Sequence, residues 1–249
     1  MIAAIHQPNY FPWLGFFSKI VQSDVFILLD DAQYAKNSYI NRTRINTANG
    51  PQWLTVPVLH KARAGQTIKD AEINLIEPIW SKQPRTIEYN YRRAPAFEKT
   101  WPVLEPIFRE KWKSLGALNI RALELVCRKL LGLDCNFVRS SELGCNASGT
   151  QRLIALCRKV GADAYLSGGG GRKYQQEHAF EAAGIELRYS SFRHPQYKQQ
   201  WDGFVEGLSV LDLVFNTGTD ARQILENSSR GGAPPLSLPV QDRGIEGPL

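Results

Sequence analysis

The feature that most limits what this chain can become is a regular alternation of short apolar runs with amphipathic helical stretches in its second half. Cys135–Val138 reads as a strand, Ser140–Cys145 as a loop, Thr150–Val160 as a helix closed by Gly161, and Ala162–Ser167 as a strand. Gly168–Gly171 follows as a glycine loop, Arg172–Ala183 as a helix ended by Gly184, and Ile185–Tyr189 as a strand. Strand and helix alternating at this pitch predict a doubly wound α/β sheet, mostly parallel and Rossmann-like. The N-terminus supplies one more such unit: strand Ile2–His6, a helix from about Leu14 to Gln22, and a second strand, Asp24–Leu29. That second strand is apolar on both faces, as a parallel strand covered on both sides requires.

Between these halves the pattern loosens. Trp53–Val58 is a strand candidate, and helices are expected within Trp80–Arg93 and Val103–Lys113 despite several prolines. Leu115–Leu131 is the clearest helix, with Gly132 placed to end it. The predicted organisation is one α/β domain over 1–227, with a helical, Pro-rich insertion at about 78–131. Downstream, Leu208–Gly218 reads as a helix with an apolar face, and residues 228–249, rich in Pro and Gly, are expected to be a disordered tail.

Composition narrows the function classes. The chain has 249 residues, 30 Lys+Arg against 24 Asp+Glu, and a net charge of +6. The basic residues fall in scattered pairs, such as Arg92–Arg93, without a run. Nucleic acid is therefore an unexpected partner (tRNA stays open), and a phosphorylated or carboxylate-bearing small molecule is the expected one. No stretch reaches the roughly 18 apolar residues of a membrane helix. Neither a basic leader nor a cleavage site opens the sequence, which predicts a cytoplasmic protein. Cys127, Cys135, Cys145 and Cys157 form no CxxC pair, and the four histidines form no metal motif, so reduced thiols and no dedicated metal site are expected.

Four segments could carry chemistry, and each also has a purely structural reading. Ser167-Gly168-Gly169-Gly170-Gly171-Arg172-Lys173 could let a phosphate approach the backbone, with φ > 0 open to glycine and a helix N-terminus behind it. His6, Gln7, Asn9, Tyr10 and Trp13 follow the first strand, where α/β proteins hold ligands, and the aromatics could wall a pocket. Asp30 and Asp31 close the second strand and could orient a substrate or hold Mg²⁺; Gln33, Asn41, Arg42 and Arg44 follow, the arginines suited to clamping an anion. His194 and Tyr197, in His-Pro-Gln-Tyr, could bring further side chains to the same face. Asp212, set among large hydrophobes, needs a partner if buried.

These residues carry a resemblance. His6-Gln-Pro-Asn-Tyr-Phe-Pro-Trp-Leu-Gly15, Asp30-Asp-Ala-Gln33, Asn41-Arg42, Trp53-Leu-Thr-Val-Pro57, Tyr165-Leu-Ser-Gly168, His194-Pro-Gln-Tyr197 and Leu208-Ser-Val-Leu-Asp212 resemble, in order, the WbqC-like family. The resemblance implies transfer of glycine or another aminoacyl group onto an amino sugar, in polysaccharide or natural-product biosynthesis. The opening also resembles nucleotidylyltransferases and pantothenate synthetases, which form adenylates on a HUP-type Rossmann-like fold through an HxGH motif. Here that motif is broken, because Trp13 and Phe16 stand in its two histidine positions.

The expectation is therefore an acyl or aminoacyl transferase forming an amide, with ATP and Mg as candidate cofactors. His6 would be the general base on the acceptor amine, Asp30 and Asp31 would orient the substrate or hold a magnesium ion, and Lys19 is one candidate to supply charge if nucleotide chemistry occurs. The alternatives are a non-catalytic nucleotide- or sugar-binding protein and an adenylating enzyme.

Overall fold

The computed structural model describes residues 1–59, 65–76, 78–173 and 175–230. Five short strands, β1 (Ile2–His6), β2 (Val25–Leu28), β5 (Phe137–Arg139), β6 (Ala164–Ser167) and β7 (Glu186–Tyr189), form one sheet in the order β5-β2-β1-β6-β7. Every pairing in it is parallel. The order reverses beside β1: the chain builds outward through β2 to β5, then returns to place β6 on the other side of β1. Parallel connections are right-handed as a rule, and with this strand order that rule puts the connecting helices on opposite faces, the Rossmann-like arrangement. All four residues of β2 are buried, as its two-sided apolar pattern requires.

The helices around this sheet are α1 (Leu14–Val21), α2 (Pro78–Tyr91), α3 (Phe97–Arg109), α4 (Leu115–Leu125), α5 (Ser140–Leu143), α6 (Gly149–Lys159), α7 (Glu177–Ala182), α8 (Val210–Thr217) and α9 (Ala221–Arg230). Helix α4 continues into a π-helical turn at Val126–Leu130, so the expected Leu115–Leu131 helix changes its hydrogen-bond pattern before Gly132 ends it. A separate antiparallel hairpin, β3 (Arg42–Ile45) with β4 (Gln52–Thr55), lies in the connection from β2 to β5.

One continuous core runs through both halves. A chain of rings, Phe11, Phe108, Trp101, Phe97, Phe215 and Tyr91, steps from the segment after β1 through α3 to α8 and α2 at centroid separations of 4.9–5.8 Å. Each such pair adds about 0.5–1.5 kcal/mol beyond the area it buries, which locks the middle helices onto the sheet layer. Among the described residues no helix is long and apolar enough to cross a membrane.

Three local expectations are corrected. Ser140–Leu143 is a helical turn, because the Asp30 carboxylate supplies acceptors for its free N-terminal donors. No helix begins at Arg172: Gly169–Lys173 is a 3-10 turn and α7 starts only at Glu177. Glycine is a poor helix former, and the Gln175 amide is drawn back to Ser167 Oγ at 2.8 Å. Finally, Ser228 and Ser229 belong to α9 and are buried, with Ser229 Oγ 2.9 Å from Ser18 Oγ on α1. The tail expectation thus loses its first residues to a packed helix; 231–249 lie outside the described residues.

Candidate functional site

The strand registers decide what meets at the carboxyl edge. Ala4 pairs with Leu166, His6 with Leu28, and Leu28 with Arg139. His6–Gln7, Ser167–Gly168, Asp30–Asp31 and Ser140–Ser141 therefore all leave the sheet along one rim. The crevice between β1 and β6, where the strand order reverses, is where open α/β sheets hold ligands.

His6 is partly buried against the edge of Phe16, with ring centroids 4.8 Å apart. Its Nδ1 lies 3.0 Å from the Gln7 carbonyl. A carbonyl only accepts, so Nδ1 carries the proton and Nε2 keeps a lone pair. Burial, reinforced by the Lys19 ammonium, pulls the imidazole down to about 3. Lys19 itself is buried and donates to the Ile5 carbonyl at 3.1 Å. His6 is thus neutral at any working pH, a good acceptor and a weak base. His194 repeats this geometry: its Nδ1 lies 3.1 Å from the Pro195 carbonyl, burial lowers its pKa, and its Nε2 is buried without a partner among the described residues.

The glycine segment reaches the rim by a different route from the one expected. None of Gly168–Gly171 has positive φ. Gly171 is glycine because a Cβ there would sit 2.3 Å from Ser167 Oγ, whereas at Gly168 and Gly169 a Cβ would meet nothing within 4 Å. The segment thus borders open space. Arg172 is exposed, with its guanidinium 4.5 Å from the Tyr189 ring centroid. The Lys173 side chain lies outside the description.

The acidic doublet is committed to the fold. Asp30, nearly inaccessible, accepts the backbone N–H of Ser141 at 3.0 Å and its hydroxyl at 2.7 Å. Asp31 accepts from Ser140 Oγ and pairs with Arg152 at 2.5 Å. Protein donors take both oxygens of Asp30 and Oδ1 of Asp31, so Oδ2 of Asp31 is the oxygen of the doublet that a magnesium ion would have to use. Among the described residues no group of three His, Cys, Asp or Glu could hold a metal ion.

The other expected binding residues divide. Tyr10 is a core residue, fully buried, donating to Gln83 Oε1 at 2.5 Å, so it cannot wall an open pocket. Asn9 and Asn41 are buried too, and Asn41 donates to the Val56 carbonyl at 3.0 Å. Trp13 is exposed, folded back over Gly15 and edge-on to Phe192 at 5.3 Å. Arg42 and Arg44 lie on the outward face of β3 and Thr43 and Ile45 on its buried face; the Arg42 guanidinium stacks 4.1 Å from the Trp53 ring. Gln33 is exposed and forms an isolated antiparallel bridge with Thr67. Tyr197 is drawn inward to Asp212, which it reaches at 2.8 Å, while Tyr91 reaches the other carboxylate oxygen at 3.0 Å. Ser140, Ser141, Arg152 and Tyr91 carried no sequence signal, because their partners lie far away along the chain.

Two surface concavities lie away from this rim. One, of about 310 Å³, sits between α7 and β7 and is lined by Glu177, Glu181 and Glu186. The other, of about 490 Å³, lies between the β3–β4 turn and α2.

Comparison with known proteins agrees with the motifs quoted above. A protein of Mycobacterium tuberculosis (strain ATCC 25618 / H37Rv), described as "Uncharacterized protein Rv1507c", is 38% identical over 225 residues, covering 89% of this chain and 96% of that one. No solved structure matches. The sequence profile described as the WbqC-like protein family matches residues 7–224, and with most of its length so matched the chain belongs to that family.

Proposed function

We propose that this protein transfers an acyl or aminoacyl group of the glycine type onto an amino-bearing acceptor, such as an amino sugar, in the crevice between the carboxyl ends of β1 and β6. The observation that carries the reading is the state of His6: a neutral imidazole with a fixed Nδ1–H and an Nε2 lone pair at the switch point. Burial and the Lys19 charge, which keep His6 unprotonated, disfavour an ammonium ion beside it in the same way. An acceptor amine placed there stays uncharged and nucleophilic, with an N–H held by Nε2.

The amine lone pair then attacks the activated carbonyl carbon. The C–N bond forms as the bond to the activating group breaks, and the nitrogen proton leaves with that group or to solvent. Because the imidazole is so weakly basic, His6 orients the amine and does not act as a strong base. The open backbone at Gly168 and Gly169 and the Arg172 charge supply a place for a phosphate, from ATP or from a nucleotide-linked substrate. Free thiols at all four cysteines suit a reaction in the cytoplasm.

A second reading, a non-catalytic nucleotide- or sugar-binding protein of a biosynthetic assembly, is favoured by one observation: both rim carboxylates hold protein donors, Asp30 through both oxygens and Asp31 through Oδ1. Mass spectrometry of mixtures separates the two. Pairs of activated glycine donors (with ATP, as a thioester, or on tRNA) and nucleotide-linked amino sugars should yield an amide. In His6→Ala its formation should slow at least about 10²-fold with the fold intact. Tight binding with no product from any pair would leave the binding role standing and remove the transfer.

A further inference from the structure

Helix α2 divides cleanly into two faces. Trp80, Gln83, Ile87 and Tyr91 are buried against the rest of the molecule. Lys82, Arg85, Thr86 and Tyr89, spaced i, i+3, i+4 and i+7, form the opposite face and line the cleft under the β3–β4 turn. Asn49 and Gln52 face them from the hairpin, Asn90 completes the wall, and among the described residues no carboxylate lines it. Neither Lys82 nor Arg85 takes part in an ion pair among the described residues. Tyr89 leaves 71% of its surface exposed.

The walls are held rigidly. Thr47 Oγ1 donates to the Gly50 carbonyl at 2.6 Å and closes the hairpin turn. Gln83 donates to the Thr55 carbonyl at 2.8 Å while accepting from Tyr10, which ties α2 both to β4 and to the segment that follows His6. Gln200 donates to the Asn90 carbonyl at 2.7 Å from the far side. A cleft of this size with two unpaired cations, several amides and one presented ring matches a compact ligand that is anionic at one end and cyclic and polar at the other.

We propose that this cleft is a second binding site, for a phosphate joined to a sugar or nucleoside ring. Lys82 and Arg85 take the phosphate, Tyr89 stacks on the ring, and Asn49, Gln52 and Asn90 meet its hydroxyls or amides. The cleft lies away from the crevice of the proposed transfer, and its occupancy does not rest on that reading.

Calorimetry on the full chain tests it with uridine diphosphate, a uridine diphosphate-linked hexosamine, glucosamine 6-phosphate and a short single-stranded oligonucleotide. At least one of the three small ligands should bind, more weakly as salt rises. Lys82→Ala and Arg85→Ala should each weaken binding about tenfold. Tyr89→Ala should cost a similar factor for a ring that stacks. His6→Ala should leave binding unchanged. Preference between the nucleotide and the sugar phosphate tells which ring the cleft takes. The site is overturned if none of the small ligands binds, if binding survives the double variant Lys82→Ala/Arg85→Ala, or if only the oligonucleotide binds. Such an outcome leaves the transfer reading untouched, just as a missing amide product would leave this site untouched.

Discussion

Tyr197 donates its phenolic proton to Oδ2 of Asp212 at 2.8 Å, across a fully buried carboxylate whose other oxygen takes a hydrogen bond from Tyr91. Tyr91 in turn accepts the backbone N–H of Asn46 at 2.9 Å. Three segments are thus joined through one acid: the His-Pro-Gln-Tyr stretch, α8 shortly after it, and α2 more than a hundred residues earlier. Replacing Tyr197 by Phe leaves a buried carboxylate short of a donor and should destabilise the fold by about 1.5–3 kcal/mol. Urea denaturation checks this, and an unchanged midpoint would show that the phenol contributes nothing.

The same carboxylate should imprint a pH dependence. Burial raises Asp212 from its ordinary 3.8 to about 6, the two phenols opposing the rise. The native chain then holds more protons than the unfolded one across that window, so this group's contribution to stability falls as pH rises through it. The cost of the ionised form is complete above about 6 and on the order of 3 kcal/mol. In Asp212→Asn that component disappears. The stability difference, variant minus wild type, should become more favourable to the variant by about that amount between pH 4 and 7, and a flat difference would contradict it.

Two glycines of the rim segment should behave differently. Gly171→Ala drives a methyl group to 2.3 Å from Ser167 Oγ and 2.7 Å from Gln175 Nε2, so about 1–3 kcal/mol should be lost. Gly169→Ala meets open space and has no positive φ, and its stability should change by less than about 0.5 kcal/mol. Equal effects in thermal denaturation would refute this account of the segment.

At the start of α1 the constraint is an indole. A Cβ on Gly15 would fall 2.2 Å from the Trp13 ring. Gly15→Ala should therefore destabilise by about 1–3 kcal/mol in the wild-type background. In a Trp13→Ala background the same change should be neutral or slightly stabilising, since alanine is the better helix former. A double-mutant cycle reads the coupling, and additive effects would count against the stacked tryptophan.

The WbqC-like motifs gain different meanings in three dimensions. In the first block, His6 and Gln7 reach the crevice while Tyr10 and Phe11 are spent on the core. The Tyr residue of the His194–Tyr197 block and the Asp of the Leu208–Asp212 block turn out to be a single hydrogen-bonded unit. That Asp212 needed a partner was legible from its apolar neighbours; which partner was not.

What the amino-acid order determined unaided is the layered α/β scaffold and its rim. Apolar runs long enough for one strand each, set between amphipathic helices, bury their surfaces well only as a parallel sheet covered on both faces, and such a sheet sends the residues that end its strands to one edge. His6, the glycine segment and Asp30–Asp31 could be placed on that edge from sequence because the constraint is local periodicity. Tertiary structure alone decided what those groups are free to do. Asp30 and Asp31 are tied to Ser140, Ser141 and Arg152, more than a hundred residues away, and His6 is held neutral by burial and by Lys19. Hydrogen-bond saturation and desolvation depend on which surfaces meet in space, and no one-dimensional pattern records that.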